Sequence, residues 1–301
     1  AKRIFEALNT YSESSEVRYV GGCVRKVIKK ETVDDIDLAT NLVPSEVCDA
    51  LKKQNINFYE TGIQHGTITA IIDDHKYEIT SLRKDVSTDG RHAKVEFSSD
   101  WKEDAARRDF SINSIYSDKD GNLFDPYNGK KDLESGNINF IGDSENRIKE
   151  DYLRILRYVR FFINYSNQSH DLNIIKKIKK NIGGVSKLSS ERLLDEFKKL
   201  TRSNAFLKIF NDKISLELVE IIFPQLKNLE NFKKLNSHAI DNLAKVDFIF
   251  LLSLLIVDGS DNTDYFLYKF NISKKDQKRL KLIDLFYKDN VNIKNFTEKN
   301  L

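Results

Sequence analysis

Methionine is absent from all 301 residues, position 1 included, and no function follows from that. Cysteine is scarce: Cys23 and Cys48 stand alone, with no CxxC spacing. They cannot assemble a thiolate metal site, and they point to a reducing, cytoplasmic compartment. The five histidines (His65, His75, His92, His170, His238) form no HxH or HxxxH pair, which sets zinc chemistry aside. Long apolar runs are missing too. The longest, Phe248–Val257, includes Ser253 and falls well short of the roughly 20 residues a bilayer requires, so it is expected to be a buried helix with no membrane partner. No charged-then-apolar leader opens the chain, so secretion is not expected. Excess charge is also lacking: 49 basic and 46 acidic residues leave +3, and composition does not announce a nucleic-acid binder. What remains, 40% hydrophobic and 32% charged, describes a soluble globular chain of two or three domains.

The first half mixes strand and helix signals, and the second is nearly all helix. Ile4, Phe5 and Leu8 share one side of a short helix within residues 1–11. Val17–Val20 reads as a strand running into Gly21-Gly22, and Cys23–Lys30 as the helix after it. Ile36–Thr40 reads as a strand with Ile36 and Leu38 facing one way and the acids the other. Pro44 opens a helix striped by Val47, Ala50 and Leu51. Thr67–Ile72 and Tyr77–Leu82 read as strands paired around Asp73-Asp74-His75, and Leu123–Asp125 as a short strand before a Pro126…Gly129 turn. From Arg147 the apolar spacing is helical. Further helices are expected near 171–181, 189–202, 204–211, 214–222, 226–234, 240–257, 262–270 and 274–287. The class is therefore α+β: a head with a small mixed or antiparallel sheet and flanking helices, then an all-α region, the boundary near 140–148.

Chemistry concentrates in four places. Gly21-Gly22 between a strand and a helix allows close backbone approach, the helix N-terminus offers N–H groups to an anion, and Arg25 can add a fork of donors. Taken alone, a plain turn is the commoner meaning. Asp35 and Asp37 on one strand would share a face, Cβ atoms about 6–7 Å apart. Such a pair suits Mg²⁺, which takes carboxylates plus substrate phosphates; two solvated edge-strand acids are the alternative. Glu78 is either a third carboxylate on the same sheet face or an ordinary surface acid. In Arg107-Arg108-Asp109, Arg108 can meet a triphosphate with Asp109 orienting it, or the group can be a structural salt bridge. Finally, Asp151 and Arg154 lie three apart on an expected helix. They are an i,i+3 ion pair, or they present an acceptor beside donors. That order matches the amine and ring nitrogen of cytosine and adenine, and mismatches uracil and guanine. Arg157 and Arg160 continue the row, but each three-residue step turns about 60°, so they are expected to reach phosphates or to close a neighbouring face. Lys176, Lys177, Lys179 and Lys180 make a basic stretch that a solvated face also explains.

Together these segments resemble the class II tRNA nucleotidyltransferase and bacterial poly(A) polymerase family, related to DNA polymerase β. The resemblance runs from about Tyr19 to Ser203 through GGCVRK, DDIDLAT, EITSLRKDVSTDGRHAKVEF, ARRDFSINSIY, FDPYNGKKDL, EDYLRILRYVRF and SSERLLDEFKKL. It implies a catalytic head over residues 1–145, a helical neck over 146–205 that recognises the base, and an RNA-binding body over 206–301 with a short or missing tail. It implies that Gly22 and Arg25 hold the triphosphate with Gly21 in the turn, that Asp35 and Asp37 bind the catalytic metals, and that Arg108 contacts the nucleotide. Asp151 and Arg154 would read the base, with Arg157 and Arg160 completing the site. The implied reaction is template-independent transfer of C and A from CTP and ATP to the 3′ end of tRNA, with Mg²⁺ as cofactor and no DNA partner.

Two positions depart from the family pattern. Lys26 stands where an acid is usual, and Arg91-His92 where two arginines are usual. The Arg83–Arg91 loop, rich in Asp, Ser, Thr and Gly, is expected to be mobile, with Arg83 and Asp85 able to engage the base-reading helix. Its presence disfavours an enzyme adding only CC. An A-adding enzyme, a poly(A) polymerase and a non-catalytic RNA-binding module remain the alternatives.

Overall fold

The computed structural model describes residues 1–89, 92–203, 205–243 and 245–290. It divides into two compact units: Ala1–Asp151 with Tyr165–Ser169, and Tyr152–Asn164 with the chain from His170 onward. No helix among the described residues is long and apolar enough to cross a membrane.

The first unit runs α1 (Lys2–Asn9), β1 (Val17–Val20), α2 (Gly22–Ile28), β2 (Ile36–Thr40), α3 (Pro44–Lys53), β3 (Asn57–Gly62), β4 (Thr67–Ile72) and β5 (His75–Ser81). It continues through β6 (Arg83–Asp89), β7 (His92–Phe97), α4 (Trp101–Ala106), β8 (Tyr116–Ser117), β9 (Leu123–Phe124), α5 (Gly129–Ser135) and α6 (Ser144–Glu150). Seven strands form one sheet in the order β3-β4-β5-β2-β1-β8-β9. Only β2 and β5 pair in parallel, so the sheet is mixed, as an α+β head requires. Alternation decides its two faces. Leu38, Ile68, Ala70 and Ile79 turn inward and join Ile4, Phe5 and Leu8 of α1 and Val47, Ala50 and Leu51 of α3 in one buried cluster. Burying each large aliphatic side chain there stabilises the unit by about 1.5–3 kcal/mol. The residues one step out of phase, Asp37 and Glu78, are thereby sent to the opposite face.

The Arg83–Arg91 segment differs from the mobile loop expected of its composition. Arg83–Asp89 is β6, paired antiparallel with β7 as a separate two-stranded ribbon, and a cross-strand Lys84–Glu96 ion pair at 3.2 Å supports the register. Arg91 lies outside the described residues. Helix α4 was not legible either, although Asp100 caps it by accepting from the N–H groups of Lys102 (2.7 Å) and Glu103 (3.4 Å).

The second unit is helical: α7 (Leu153–Tyr165, its last residue grouping with the first unit), α8 (Leu172–Asn181), α9 (Ser190–Thr201), α10 (Lys213–Ile222), α11 (Ser237–Leu243), α12 (Phe248–Ile256), α13 (Asn262–Lys269) and α14 (Lys274–Asn290). Segments 206–211 and 229–234, expected as helices, are 3₁₀ turns. The helix expected over 240–257 is two, because Asp247 accepts from the N–H groups of Ile249 and Phe250 and starts α12 afresh. A third break matters more. The single helix expected through Glu150–Arg160 is interrupted: α6 stops at Glu150, and Asp151 is extended at φ −153°, ψ 104°. The cause is on α6. Arg147 donates to the carbonyls of Arg107 and Arg108, both at 2.6 Å, and pairs with Glu150, which holds α6 to the first unit while α7 belongs to the second.

Candidate active site

In the first unit the turn between β1 and α2 is built from backbone geometry. Gly21 sits at φ 68°, ψ −118°, where a side chain is strained, and its N–H donates to Ile115 O at 3.2 Å. Gly22 opens α2, leaving first-turn N–H groups available to an anion. Two guanidinium groups flank the turn. Nη1 of Arg108 lies 3.5 Å from where a Cβ on Gly21 would stand, and Nη2 of Arg25 lies 4.0 Å from one on Gly22.

Each arginine has its own anchor. The Arg25 guanidinium donates through Nη1 to Asn113 Oδ1 and lies 5.0 Å from the Tyr165 ring. Asn113 Nδ2 in turn donates to Asp109 Oδ1 at 2.8 Å. Arg108 donates through Nε to Tyr116 OH (3.0 Å), through Nη2 to Asp104 Oδ2 (3.1 Å) and through Nη1 to the Asn113 carbonyl (3.3 Å). Arg107 Nε (2.8 Å) and Tyr116 OH (2.7 Å) also donate to Asp104. The expectation that Asp109 orients Arg108 is therefore corrected. Asp104 does so, and Asp109 steadies Arg25 through Asn113. Helical spacing was the available signal, since Asp104 precedes Arg107 and Arg108 by three and four residues. Asp104 is 1% exposed. Burial alone would raise its pKa, but the Arg108 and Arg107 guanidiniums outweigh that and hold it at about 2. Burial likewise pushes the Tyr116 hydroxyl up, and Asp104 holds Arg108 more firmly protonated against its own burial.

The carboxylates meet across the parallel pair. Asp37 in β2 is the register partner of Glu78 in β5, so these two acids stand side by side on the sheet face opposite the core. Asp35 lies just before β2, outside the strand bounds also expected from sequence, and is exposed. The Asp37 carboxyl is pushed up by burial first and by repulsion from Glu78 next; Arg108 pulls it down, with smaller effects from Asp35 and Arg25. Among the described residues no three His, Cys, Asp or Glu side chains are arranged to hold a metal by themselves. The donors fit an open cation site: hard oxygens at Asp35 and Asp37, under repulsion that a divalent ion relieves, with the remaining coordination left to substrate oxygens and water. Lys26, the departure from the family pattern, pairs with Asp34 at 2.7 Å, one residue before Asp35. Arg83 Nη1 donates to the His65 carbonyl, and its N–H to Asp104 Oδ1 at 3.4 Å. The Asp85 side chain lies outside the described ones.

In the second unit, Arg154 is half-buried on the first turn of α7. Asp151 precedes that helix, so the i,i+3 helical geometry expected for the pair does not hold. Arg157 and Arg160 both pair with one acid. Arg160 Nε donates to Oε1 of Glu196 on α9, and Arg157 Nη1 lies 3.7 Å from its Oε2. Glu196 is 2% exposed and was not foreseen, although it stands in the SSERLLDEFKKL motif. Further along α7, Tyr158 OH meets His170 Nδ1 at 3.0 Å and Phe162 stacks on the His170 ring at 3.5 Å, while His170 Nε2 meets Asp212 at 2.7 Å. In the basic stretch of α8, Lys179 is paired with Glu217 at 2.7 Å.

Residues 17–139 match the "Poly A polymerase head domain" family, and residues 171–230 match the "Probable RNA and SrmB- binding site of polymerase A". The mitochondrial CCA tRNA nucleotidyltransferase 1 of Homo sapiens is 36% identical over 278 residues, 91% of this chain and 62% of that protein. The CCA-adding enzyme of Lactobacillus johnsonii is 31% identical over 277 residues, 90% of this chain and 68% of that one. The chain thus spans about three fifths of the length of its human relative. Among solved structures, the Bacillus stearothermophilus CCA-adding enzyme in complex with CTP superposes with a TM-score of 0.76 at 24% identity, covering 99% of this chain and 72% of that one. A tRNA nucleotidyltransferase complexed with a primer tRNA and an incoming ATP analog gives 0.73 at 21%, covering 97% and 87%. At these identities the superpositions establish the fold.

Proposed function

The chain belongs to the family of class II CCA-adding enzymes and bacterial poly(A) polymerases, and on that premise we propose that it adds C and A to the 3′ end of tRNA without a template. The observation that carries this reading is the Asp37–Glu78 pair, electrostatically coupled to the two anchored arginines beside the Gly21-Gly22 turn. Arg25 and Arg108 grip the triphosphate of CTP or ATP, and the α2 N-terminus offers it N–H groups. Because each fork is already held by its own partners, little reorganisation is left for the moment of reaction. The 3′ oxygen of the RNA forms a bond to the α-phosphorus. The α–β bridging bond breaks, pyrophosphate leaves, and the hydroxyl proton departs to solvent.

The family uses divalent metal. Asp35 and Asp37 would hold it, as Mg²⁺ in our reading, where it supplies a more acidic attacking hydroxyl and charge neutralisation at the leaving phosphates. Glu78 adds negative potential at the same place. Arg154, with Asp151, offers donors and an acceptor to the amine and ring nitrogen shared by C and A. Arg157 and Arg160 brace that helix on Glu196. The head, neck and body correspond in this reading to 1–145, 146–205 and 206–301. RNA lies along the basic helices of the second unit, and the compartment is the cytoplasm, where the buried free thiols of Cys23 and Cys48 stay reduced. The human and mouse relatives are named mitochondrial.

The test is incorporation on a tRNA transcript lacking its CCA end. CTP alone should give two additions, and CTP with ATP three. One addition from ATP only on a CC-ended transcript would assign an A-adding enzyme, long ATP-fed products a poly(A) polymerase, and no product from any nucleotide a binding module.

A further inference from the structure

The first turn of α7 has an unusual support. The Tyr152 carbonyl accepts from Ile155 N at 3.1 Å, so Tyr152 is the residue from which the helix starts. Its ring lies directly on Gly184, in the 3₁₀ segment Ile182–Lys187 of the same unit. A Cβ built on Gly184 would stand 2.1 Å from Tyr152 Cε1 and 2.3 Å from Cδ1 and Cζ. No positive φ explains that glycine, so its use lies in the missing side chain. The adjacent Gly183 has nothing within 4 Å of its would-be Cβ. Lys187 completes the seat with its ammonium 5.9 Å from the ring centre.

Farther along, α7 is fixed by Arg157 and Arg160 on Glu196 and by Tyr158 and Phe162 on His170. Arg154 sits on the turn between these fixed points and the helix start, only two residues beyond Tyr152. Helix ends fray, and the seat restrains this one. We propose that Tyr152, seated on Gly184, is a positioning residue for base selection: it fixes the rotation of the first turn of α7 and so the direction of the Arg154 fork. The proposal rests on the reading that Arg154 addresses the base. Displacements of about 1 Å at a reacting centre cost up to about a hundredfold. A methyl group that cannot fit under the ring forces a movement of that order.

The experiment uses the full chain and a tRNA transcript lacking its CCA end. It measures kcat/KM for CTP, UTP, ATP and GTP in Gly184→Ala, Gly183→Ala and Arg154→Ala. We expect Gly184→Ala to lower the C/U and A/G ratios by about tenfold or more, and Gly183→Ala to match the unaltered protein. Adding Tyr152→Leu to Gly184→Ala makes room for the methyl and should recover part of the lost ratio. If Gly184→Ala does not fold, as judged by its melting curve, Tyr152→Ala removes the seat without strain and should lower the same ratios. Unchanged ratios in a folded Gly184→Ala or Tyr152→Ala protein, even with slower turnover throughout, overturn the proposal. Arg154→Ala decides the underlying reading separately: ratios unchanged there refute base reading by Arg154, whatever the seat does.

Discussion

Replacing Asp104 with Asn tests the buried network behind Arg108. Asp104 accepts from Arg107, Arg108 and Tyr116 and is almost entirely out of solvent. The Asn side chain keeps the shape but removes the carboxylate that, among the described residues, pairs with both guanidiniums. Two routes give the magnitude. The carboxyl sits at about 2 in the folded protein against 3.8 when exposed, which by linkage amounts to about 2 kcal/mol. Breaking a buried ion pair by removing one partner typically costs about 3–5 kcal/mol. The first figure counts proton binding only, so it is the floor. We expect a loss of about 3 kcal/mol at pH 7, a fall in melting temperature on the order of 10 °C for a unit of this size. The sign with pH follows from the lowered pKa. The Asp104 contribution is complete above about 4 and disappears as pH falls through about 2, because the folded protein must then take up a proton it resists. The gap between Asp104→Asn and the unaltered protein, read by urea unfolding, should therefore close between pH 4 and pH 2. Equal stability at pH 7, or a gap that persists undiminished at pH 2, would refute the network as drawn.

Other outcomes follow from the same geometry. Asp37→Asn should abolish nucleotide transfer at saturating Mg²⁺ while leaving the melting temperature within a few degrees, since the side chain is on the face opposite the core; near-normal turnover would dismiss the metal assignment. Deleting Asp85–Gly90 should spare C addition and reduce A addition, scored on transcripts ending in no C and in CC; equal loss of both steps would make the β6–β7 ribbon purely structural. Charge reversal at Lys176, Lys177 and Lys180 should weaken tRNA binding and flatten the slope of log K against log salt without altering the KM for CTP, and an unchanged slope would move the RNA elsewhere.

How far the sequence could be read depended on how local the deciding interaction was. β1, ended by Gly21-Gly22, and β2, read from alternation, are where the pattern put them. The core faces of α1 and α3 were legible because Ile4, Phe5 and Leu8, and Val47, Ala50 and Leu51, already repeat at helical spacing. The Glu78 question could not be closed from sequence, since its neighbour Asp37 is supplied by a parallel register that no local pattern encodes. The ribbon was missed because Ser, Thr and Asp suggested a loop, while the partner strand that overrides them lies beyond the turn. Asp151 was misplaced because the apolar period runs through the break: what interrupts the helix is Arg147 reaching back to the Arg107 and Arg108 carbonyls, some forty residues earlier. Glu196 failed for the same reason, as an acid on a helix reads as solvated until its two arginine partners are seen.

The parallel pairing of β2 with β5 also bears on when the site comes into being. Asp37 and Glu78 are separated by about forty residues, and α3, β3 and β4 must be laid down before β5 can return alongside β2. Closing a loop of that length costs about 3 kcal/mol of chain entropy before any contact repays it. Hairpins β3–β4 and β4–β5, made of near neighbours, carry no such delay. A ribosome-bound chain released only through Thr40 holds Asp37 but has no strand to set beside it. The acid pair is thus a late product of folding, although the two strands that carry it are interior strands of the sheet once paired.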